Sequence, residues 1–308
     1  MYLPRPDPSV RAFRIAYDGR PFSGFQRQPD VPTVEDAIFD ALEALGVADL
    51  PRTPDGGRPR PPGYAAAGRT DAGVSAAAQT IALDVPDWLT PRAFNGQLPK
   101  HVRAWAAADV PDDFHARHDA SARTYRYHLY APTAAIDDSP AAVSSLDDGR
   151  VHDALERLSG THDFHNLTPD DGGTERTLDA SARREGDLLV VRARADGFPR
   201  EFVRRLVTLV RAIGIGDAPP SRIDRVLASE PLDGPRGIAP APATPLVLWN
   251  VEYDCETADL DGTVRFEVDQ EAAESAFTAF REESLEARRT AAALDSVRDR
   301  IDGDLVDT

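Results

Sequence analysis

The sequence predicts an α+β fold with mainly antiparallel sheets. Apolar residues recur at strand spacing in some segments and at helix spacing in others, and the two kinds of segment alternate along the chain. At least one pair of strands is placed to form a hairpin, which favours α+β over a doubly wound parallel sheet. The 308 residues are long for one hydrophobic core and comfortable for two, and 41% hydrophobic residues are enough to form them.

In the first half of the chain, alternating apolar residues predict a strand over 11–17, followed by a turn at 18–19. Thr33 has the features of a helix N-cap, and the helix that it begins ends at Gly46. The Pro- and Gly-rich run 51–63 predicts an exposed loop. Further along, a loop over 68–73 is predicted between two extended stretches, the second of which carries Ile81, Leu83 and Val85 on one face. Strands follow over 102–110 and 124–130.

The second half of the chain has similar elements but no residue-level repeat of the first. The predicted elements are a helix over 151–158, a strand over 187–194, a helix over 200–213 with an apolar stripe, a short helix capped by Ser221, and a strand over 245–253. Beyond Gln270 the acids and arginines predict a helical tail with few large apolar residues.

The charge balance is strongly acidic, with 52 acids against 35 bases and a net charge of −17. Lys100 is the only lysine, so arginine supplies nearly all of the positive charge. An acidic chain is expected to repel nucleic acid, unless high salt screens the repulsion. Because the acids are spread along the chain, we favour adaptation to molar salt, as in a halophilic archaeon.

Several classes of protein are excluded by composition. No stretch approaches the roughly 18 uninterrupted apolar residues of a membrane span. The first 14 residues lack the apolar core of a secretory signal, so a cytoplasmic protein without membrane contact is expected. Cys255 is the only cysteine, which excludes a disulfide framework and a cysteine-based zinc site.

Asp71 is the strongest candidate for a reactive side chain. It lies between Gly68 and Gly73, which allow a sharp loop to approach a ligand closely, and Arg69 supplies a cation two residues upstream. This arrangement suits a carboxylate nucleophile or general base. Taken alone, the tetrapeptide is equally typical of an aspartate that caps a tight turn.

Motifs in a fixed order favour the catalytic interpretation of Asp71. They comprise Tyr17-Asp18-Gly19 with Gly24, Gln26 and Gln28, the run AAGRTDAGVSAAAQ around Asp71, Phe114-His115-Ala116-Arg117, Arg123-Thr124-Tyr125-Arg126-Tyr127, Asp196-Gly197-Phe198 with Val203-Arg204, and Ala239-Pro240-Ala241. Over roughly residues 11 to 254, this series resembles the tRNA pseudouridine synthase A family. Several ordered motifs are far more specific than any single one.

The resemblance implies roles for individual residues. Asp71 matches the aspartate that attacks the target nucleotide, and Arg69 matches the arginine that helps to expose the base and takes its place. Tyr125 matches the tyrosine that stacks on the flipped uracil. Arg204 matches the arginine that pairs with the catalytic carboxylate and stabilises its ionised form. The substrate-binding residues that the same motifs imply are Gln26, Gln28, Arg69, His115, Arg117 and Tyr125.

The implied function is isomerisation of uridine to pseudouridine at positions 38, 39 and 40 in the anticodon stem-loop of tRNA. The implied fold has two α/β halves whose sheets meet at a basic cleft, and two chains bind one tRNA as a homodimer. We place a catalytic half at 1–118, a half with the stacking tyrosine and the arginine helix at 119–256, and a helical tail at 257–308. No cofactor or metal is implied.

The sequence leaves more than one assignment open for some residues of the site. Tyr127 lies two residues after Tyr125 in the same strand; one is expected to face the core, and we assign Tyr125 to the cleft. Arg205 competes with Arg204 for the carboxylate. The pairs His115–His118 and His162–His165 have a spacing seen in metal sites, but no accompanying pattern supports a metal, and none is predicted.

The sequence departs from the family pattern at three places: Ser75 stands where a histidine is usual, Arg200-Glu201 where a basic pair is usual, and Thr244-Pro245 where Gly-Leu is common. Two rival functions also stay open. One is an RNA-binding protein without catalysis, and the other is a carboxylate-dependent nucleoside or glycoside hydrolase, a class that normally needs a second carboxyl group. The residues also leave open whether Asp71 attacks C1′, adds to C6 or abstracts a ribose proton.

Overall fold

The computed structural model describes residues 9–50, 59–132, 145–232, 237–254 and 264–306, with side chains to residue 297. Cys255 and most of the predicted loop at 51–63 lie outside the described residues. The strands are β1 (Ser9–Tyr17), β2 (Ala65–Ala66), β3 (Ser75–Val85), β4 (Val102–Asp109), β5 (Ala120–Tyr130), β6 (Gly160–Asp163), β7 (Glu175–Glu185), β8 (Leu188–Ala195), β9 (Leu246–Tyr253) and β10 (Glu267–Val268). The α-helices are α1 (Val34–Ala44), α2 (Pro91–Asn95), α3 (Asp148–Leu158), α4 (Phe202–Gly214), α5 (Arg222–Val226) and α6 (Gln270–Val306).

The strands of the described ranges form one continuous sheet in the order β10-β4-β1-β3-β9-β5-β8-β7-β6, with β2 paired to β3. Every pairing is antiparallel except the short parallel contact between β3 and β9, which joins the start of β3 to the start of β9. The two predicted sheets are therefore one sheet, and the α+β class is confirmed. The loop that carries Asp71 immediately precedes β3, so it lies at this junction.

Two hydrophobic clusters pack against the two parts of the sheet. The first includes Phe13, Ile38 and Phe94, and it binds α1 and α2 to the strands from the first half of the chain. The second includes Leu155 and Leu206, and it binds α3 and α4 to the strands from the second half. Burial of large apolar side chains is the main favourable term in each case. The sequence predicted room for two cores, and two are present among the described residues.

Tyr125 and Tyr127 share one face of β5, because the register with β8 is uninterrupted from Arg123 to Tyr130. Tyr127 is 2% exposed and lies in the second cluster, whereas Tyr125 is partly buried and packs against both clusters. Tyr127 therefore meets the expectation that one of the two tyrosines faces the core, although both side chains lie on the same face of the strand. Their positions along the strand separate them, since Tyr125 lies at the junction and Tyr127 lies beneath α4.

Most predicted elements agree with the structure to within a few residues. Thr33 caps α1, and its side-chain oxygen accepts a hydrogen bond from the backbone N–H of Asp36. Ser221 occupies the N-cap position of α5 but makes no such side-chain bond. The strand β7 was missed, because its charged residues alternate with small ones and only Leu178 is a large buried side chain.

The tail helix α6 has 37 residues, which corresponds to about 55 Å. Its first turns lie against the body, where Ala272 and Ala276 are buried. Glu283 anchors it further along through ion pairs with Lys100 at 2.7 Å and Arg20 at 3.3 Å. Beyond these contacts, the described side chains of the helix are mostly exposed.

Candidate active site

Hydrogen bonds from neighbouring segments hold Gly68 and Thr70, in the loop that carries Asp71. The Tyr17 hydroxyl lies 2.8 Å from Thr70 Oγ1, and the backbone N–H of Phe25 donates to the Thr70 carbonyl at 3.0 Å. Upstream, the side-chain amide of Gln79 donates to the Gly68 carbonyl at 2.9 Å. These bonds come from β1, from the segment after it and from β3. The sheet and the segment next to it therefore fix the position of the loop.

The turn that follows β1 supports the other end of this loop. The Gly19 backbone N–H donates to Ser75 Oγ at 3.0 Å, which gives Ser75 a structural contact. A Cβ atom on Gly19 would lie only 2.1 Å from the Val74 carbonyl oxygen, so only glycine allows this approach. The tyrosine–aspartate–glycine motif therefore packs against residues on both sides of Asp71 in the same segment.

The Asp71 carboxylate contacts an arginine from the other half of the chain. Arg204 Nη1 donates to Asp71 Oδ2 at 3.0 Å, while Arg204 Nε donates to the Ala241 carbonyl at 2.6 Å. The Asp71 side chain remains 34% exposed, and that of Arg204 is 16% exposed. One guanidinium thus holds a carboxylate that still faces solvent, and residue 241 of the Ala-Pro-Ala motif orients that guanidinium.

Arg205 is directed elsewhere. It forms an ion pair with Glu201 at 2.6 Å and donates to the Ile238 carbonyl. Glu201 precedes α4 and has φ of +61°, which is unusual for a residue with a side chain. The structure therefore places Arg204, and not its neighbour, beside Asp71.

Tyr125 lies in the same cleft, with its ring edge-on to Phe198 at a centroid distance of 5.1 Å. Burial raises the pKa of the Tyr125 hydroxyl to about 12, and the nearby Asp71 carboxylate adds to this effect. The side chain is consequently a neutral aromatic ring at physiological pH. Such a ring can stack on a base but cannot serve as a general base.

All eight site residues predicted from the sequence line one cleft of about 1490 Å³. Arg69, Arg117 and Gln28 are exposed there. The Gln28 amide also donates to the Ser23 carbonyl at 2.8 Å. His115 Nδ1 accepts from the backbone N–H groups of Arg117 and His118, so the ring partly stabilises its own loop.

The charge of the cleft differs from that of the whole chain. Its lining contains seven arginines and five acids, whereas the full sequence has more acids than bases. Positive side chains on a concave surface favour a phosphate-bearing ligand. The cleft is also larger than the roughly 300–1,000 Å³ typical of small-molecule sites.

Sequence reasoning missed several residues that line this cleft. Arg123 and Phe198 belong to recognised motifs but received no role, although Arg123 lies two residues before Tyr125 on the same strand face. Others that received no role include Glu35, Arg60, His118, Arg176, Arg200 and Glu201. No local signal connects these residues with Asp71, because their segments meet only when the two halves of the sheet come together.

Comparisons with known proteins identify relatives of this chain. A family model described as tRNA pseudouridine synthase matches residues 154–254. A protein named tRNA pseudouridine synthase A from Haloarcula marismortui is 52% identical over 292 residues, covering 95% of this chain and 100% of the relative. One of the same name from Natronomonas pharaonis is 56% identical, covering 92% of this chain and 98% of the relative.

Among solved structures, the archaeal box H/ACA sRNP Nop10-Cbf5 complex aligns with 66% of this chain and 43% of its own, at 13% identity and a TM-score of 0.29. These two sequence relatives, in contrast, are similar over nearly their full lengths and come from halophilic archaea.

Fold and site together describe an α+β protein with a carboxylate–arginine pair in a basic cleft. The chain belongs to the tRNA pseudouridine synthase family and is an isomerase. The salt-adaptation interpretation of its acidic composition agrees with the source of its relatives. In the described ranges, no helix is both long and apolar enough to cross a membrane.

Proposed function

We propose that the enzyme converts uridine to pseudouridine at positions 38, 39 and 40 in the anticodon stem-loop of tRNA, with Asp71 as the nucleophile. The observation that carries this proposal is the partly exposed Asp71 carboxylate, held at 3.0 Å by Arg204 from the opposite half of the cleft. An ionised, oriented and accessible carboxylate is what nucleophilic catalysis at a sugar or a pyrimidine requires.

The reaction is an isomerisation in which the C1′–N1 bond breaks, the uracil rotates and a C1′–C5 bond forms, while C5 loses its proton and N1 gains one. Attack at C1′, addition at C6 and abstraction of a ribose proton all require the same ionised carboxylate. Arg204 stabilises that charge and orients the oxygen that it contacts. The neighbouring Oδ1 atom is then available to the nucleotide.

Base flipping gives Tyr125 and Arg69 their proposed roles. A uridine within a stacked stem is extruded at a cost of a few kcal/mol. The neutral ring of Tyr125 would stack on the extruded base, with Phe198 supporting that ring from the side. Arg69 is exposed at the cleft and can enter the space that the base leaves.

The other proposed substrate contacts are Gln26, Gln28, His115 and Arg117. They come from the segments after β1 and β4, so they extend the cleft beyond the reacting base. Arginine is suited to this surface because its planar fork binds phosphate bidentately. Binding is expected to depend on RNA shape as well as charge, since molar salt weakens phosphate contacts.

We further propose a homodimer that acts on tRNA in the cytoplasm, where its substrate is found. The division into parts at 1–118, 119–256 and 257–308 belongs to the same proposal. Two hydrophobic clusters support the first boundary, although Leu248 and Val251 of β9 pack into the first cluster. The docking of α6 through its first turns supports the second.

The decisive experiment replaces Asp71 by asparagine. Unmodified tRNA transcripts are incubated with the wild type and with Asp71→Asn, and pseudouridine is mapped by its base-specific chemistry. We expect the variant to bind tRNA and to form no pseudouridine, because an amide is not a nucleophile of this kind. Asp109→Asn is the matched control, since it removes an equal charge from an exposed carboxylate outside the cleft.

Turnover by Asp71→Asn would contradict the assignment of the nucleophile. Binding of tRNA by the wild type without modification would identify an RNA-binding protein instead. Free uracil among the products would support the hydrolase alternative, for which the cleft offers further carboxylates such as Glu35 and Glu201.

A further inference from the structure

Arg123 donates hydrogen bonds to four backbone carbonyls around the cleft. Its Nη2 atom donates to the Ala67 carbonyl at 2.9 Å and to the Arg117 carbonyl at 2.6 Å. Its Nη1 atom donates to the Ala120 carbonyl at 3.1 Å and to the Asp196 carbonyl. Arg123 therefore uses both terminal nitrogens of its guanidinium to join segments that are far apart in the sequence.

Three of these carbonyls belong to segments with proposed roles at the site. Ala67 directly precedes the loop of Arg69 and Asp71. The Arg117 carbonyl belongs to the segment that also carries His115. Asp196 begins the turn that places Phe198 against the Tyr125 ring. One side chain thus connects the nucleophile loop, a substrate-contact loop and the support of the stacking ring.

The surroundings of Arg123 suit this role. The side chain is partly buried, and burial lowers the pKa of its guanidinium below the usual value. Four carbonyl dipoles compensate for the loss of hydration. A planar fork can donate to several fixed oxygens at once, whereas a lysine ammonium is a single point on a flexible stem.

We propose that Arg123 is a positioning residue that sets the relative placement of the Asp71 loop, the 115–118 loop and the 196–198 turn. This inference rests on the proposed function and extends it, because it explains how three segments are held in reacting geometry. A displacement of about 1 Å in an active site can reduce the rate about 100-fold. Arg123 acts through the backbone and does not need to contact the RNA.

The contrasting interpretation is that Arg123 binds a phosphate, since it also lines the cleft. Phosphate binding and positioning predict different effects of replacing Arg123 by lysine. A lysine retains the positive charge that attracts phosphate, but it cannot satisfy the same four carbonyls. Arg123→Lys should therefore preserve tRNA affinity and impair the chemical step if the residue acts by positioning.

The experiment compares the full-length wild type with Arg123→Lys and Arg123→Ala. Three quantities are measured: the dissociation constant for unmodified tRNA, the single-turnover rate of pseudouridine formation, and hydrogen exchange of the backbone. We expect Arg123→Lys to bind tRNA with nearly unchanged affinity and to react about 100-fold more slowly. Exchange in 68–73, 115–118 and 196–198 should become faster. Methylguanidinium, but not methylammonium, should partly restore the rate of Arg123→Ala.

Arg126→Lys is the matched control. Arg126 lies on the same strand, and its guanidinium stacks on the Trp249 ring at 3.6 Å from the centroid. It contributes no side chain to the cleft lining. This variant should leave the rate and the exchange of the three segments close to those of the wild type.

Two results would overturn the positioning role. One is a large loss of tRNA affinity in Arg123→Lys with an unchanged single-turnover rate. The other is unchanged exchange in all three segments. The exchange readout does not depend on turnover. An inactive wild type would therefore refute the proposed function alone, while the same exchange comparison would still decide whether Arg123 holds the segments.

Discussion

Arg204 joins the two halves of the molecule at a single side chain. Its Nη1 atom contacts Asp71, which precedes β3, while its Nε atom is fixed by the carbonyl of Ala241, shortly before β9. Charge-assisted bonds of this kind provide both orientation and stabilisation of the carboxylate. Arg205, one residue further along α4, makes no comparable contact with the carboxylate.

Replacement of Arg204 by glutamine is expected to slow pseudouridine formation about 100-fold, because Asp71 loses both its partner and its orientation. Single-turnover kinetics with unmodified tRNA measure this effect. Arg205→Gln is the control, and it should cost about 1 kcal/mol of stability through the loss of its Glu201 pair while the rate stays nearly normal. Equal loss of rate in both variants would contradict the proposed role of Arg204.

Tyr125 leads to a prediction about alkaline pH. Its pKa is raised to about 12 by burial, whereas tyrosines of the unfolded chain titrate near pH 10. Between these values the folded state retains a proton that the unfolded chain has lost, so stability falls as the pH rises. The contribution of the neutral Tyr125 hydroxyl to folding stability is fully present below about pH 10 and is lost as the pH rises towards about 12.

Tyr125→Phe removes the ionisable hydroxyl and should reduce this loss of stability by about 2 kcal/mol. Urea unfolding of both proteins between about pH 9 and 12 measures the difference, since other buried tyrosines contribute equally to both curves. Identical pH dependence in the two proteins would show that the Tyr125 hydroxyl is not held in its neutral form.

At the scale of elements, the turn after β1 and the loop before β3 behave as one unit. Gly19 contacts Val74 so closely that no Cβ atom fits between them, and the Gly19 N–H donates to Ser75 Oγ. Residues that are more than 50 positions apart therefore share one packing contact. This contact determines where the loop that carries Asp71 lies relative to the sheet.

Gly19→Ala should destabilise the protein by about 1–3 kcal/mol and reduce the rate, because the new methyl group displaces the loop of Asp71. Thermal unfolding and single-turnover kinetics are the measurements. Gly172→Ala is the control, since its added Cβ would have no heavy-atom neighbour within 4 Å and its φ lies outside the left-handed region. A fully stable and active Gly19→Ala would show that the loop can move without consequence.

At the scale of the whole molecule, charge is distributed unevenly. The chain has a net charge of −17, yet seven arginines gather in the cleft and outnumber its five acids. Repulsion among the remaining acids destabilises the folded state at low ionic strength and is screened as salt increases. An arginine-rich cleft can therefore coexist with an acidic surface in concentrated salt.

Stability is expected to rise when KCl is increased from about 0.1 M to several molar, where the Debye length falls from about 10 Å to less than 3 Å. Thermal unfolding across the KCl series measures this change. Sucrose at matched water activity is the control for preferential exclusion, which stabilises proteins without screening charge. Equal stability at low and high KCl would contradict salt adaptation.

The sequence by itself determined most of the elements, because hydrophobic period and capping are local properties. The helix capped by Thr33, the strand with Tyr125 and the apolar stripe of α4 all follow from near neighbours. Ordered motifs also singled out Asp71 and Arg204, although they are 133 positions apart. The resemblance provided that pairing, which spacing alone could not.

Tertiary structure alone decided what joins those elements. The parallel contact between β3 and β9 merges two expected sheets into one, and it also brings the 68–73 loop towards β5. Tyr125 and Tyr127 differ in burial because of where α4 lies, and Arg123 meets its carbonyl partners only after three loops converge. Such contacts depend on packing between distant segments, and no local pattern of residues encodes their geometry.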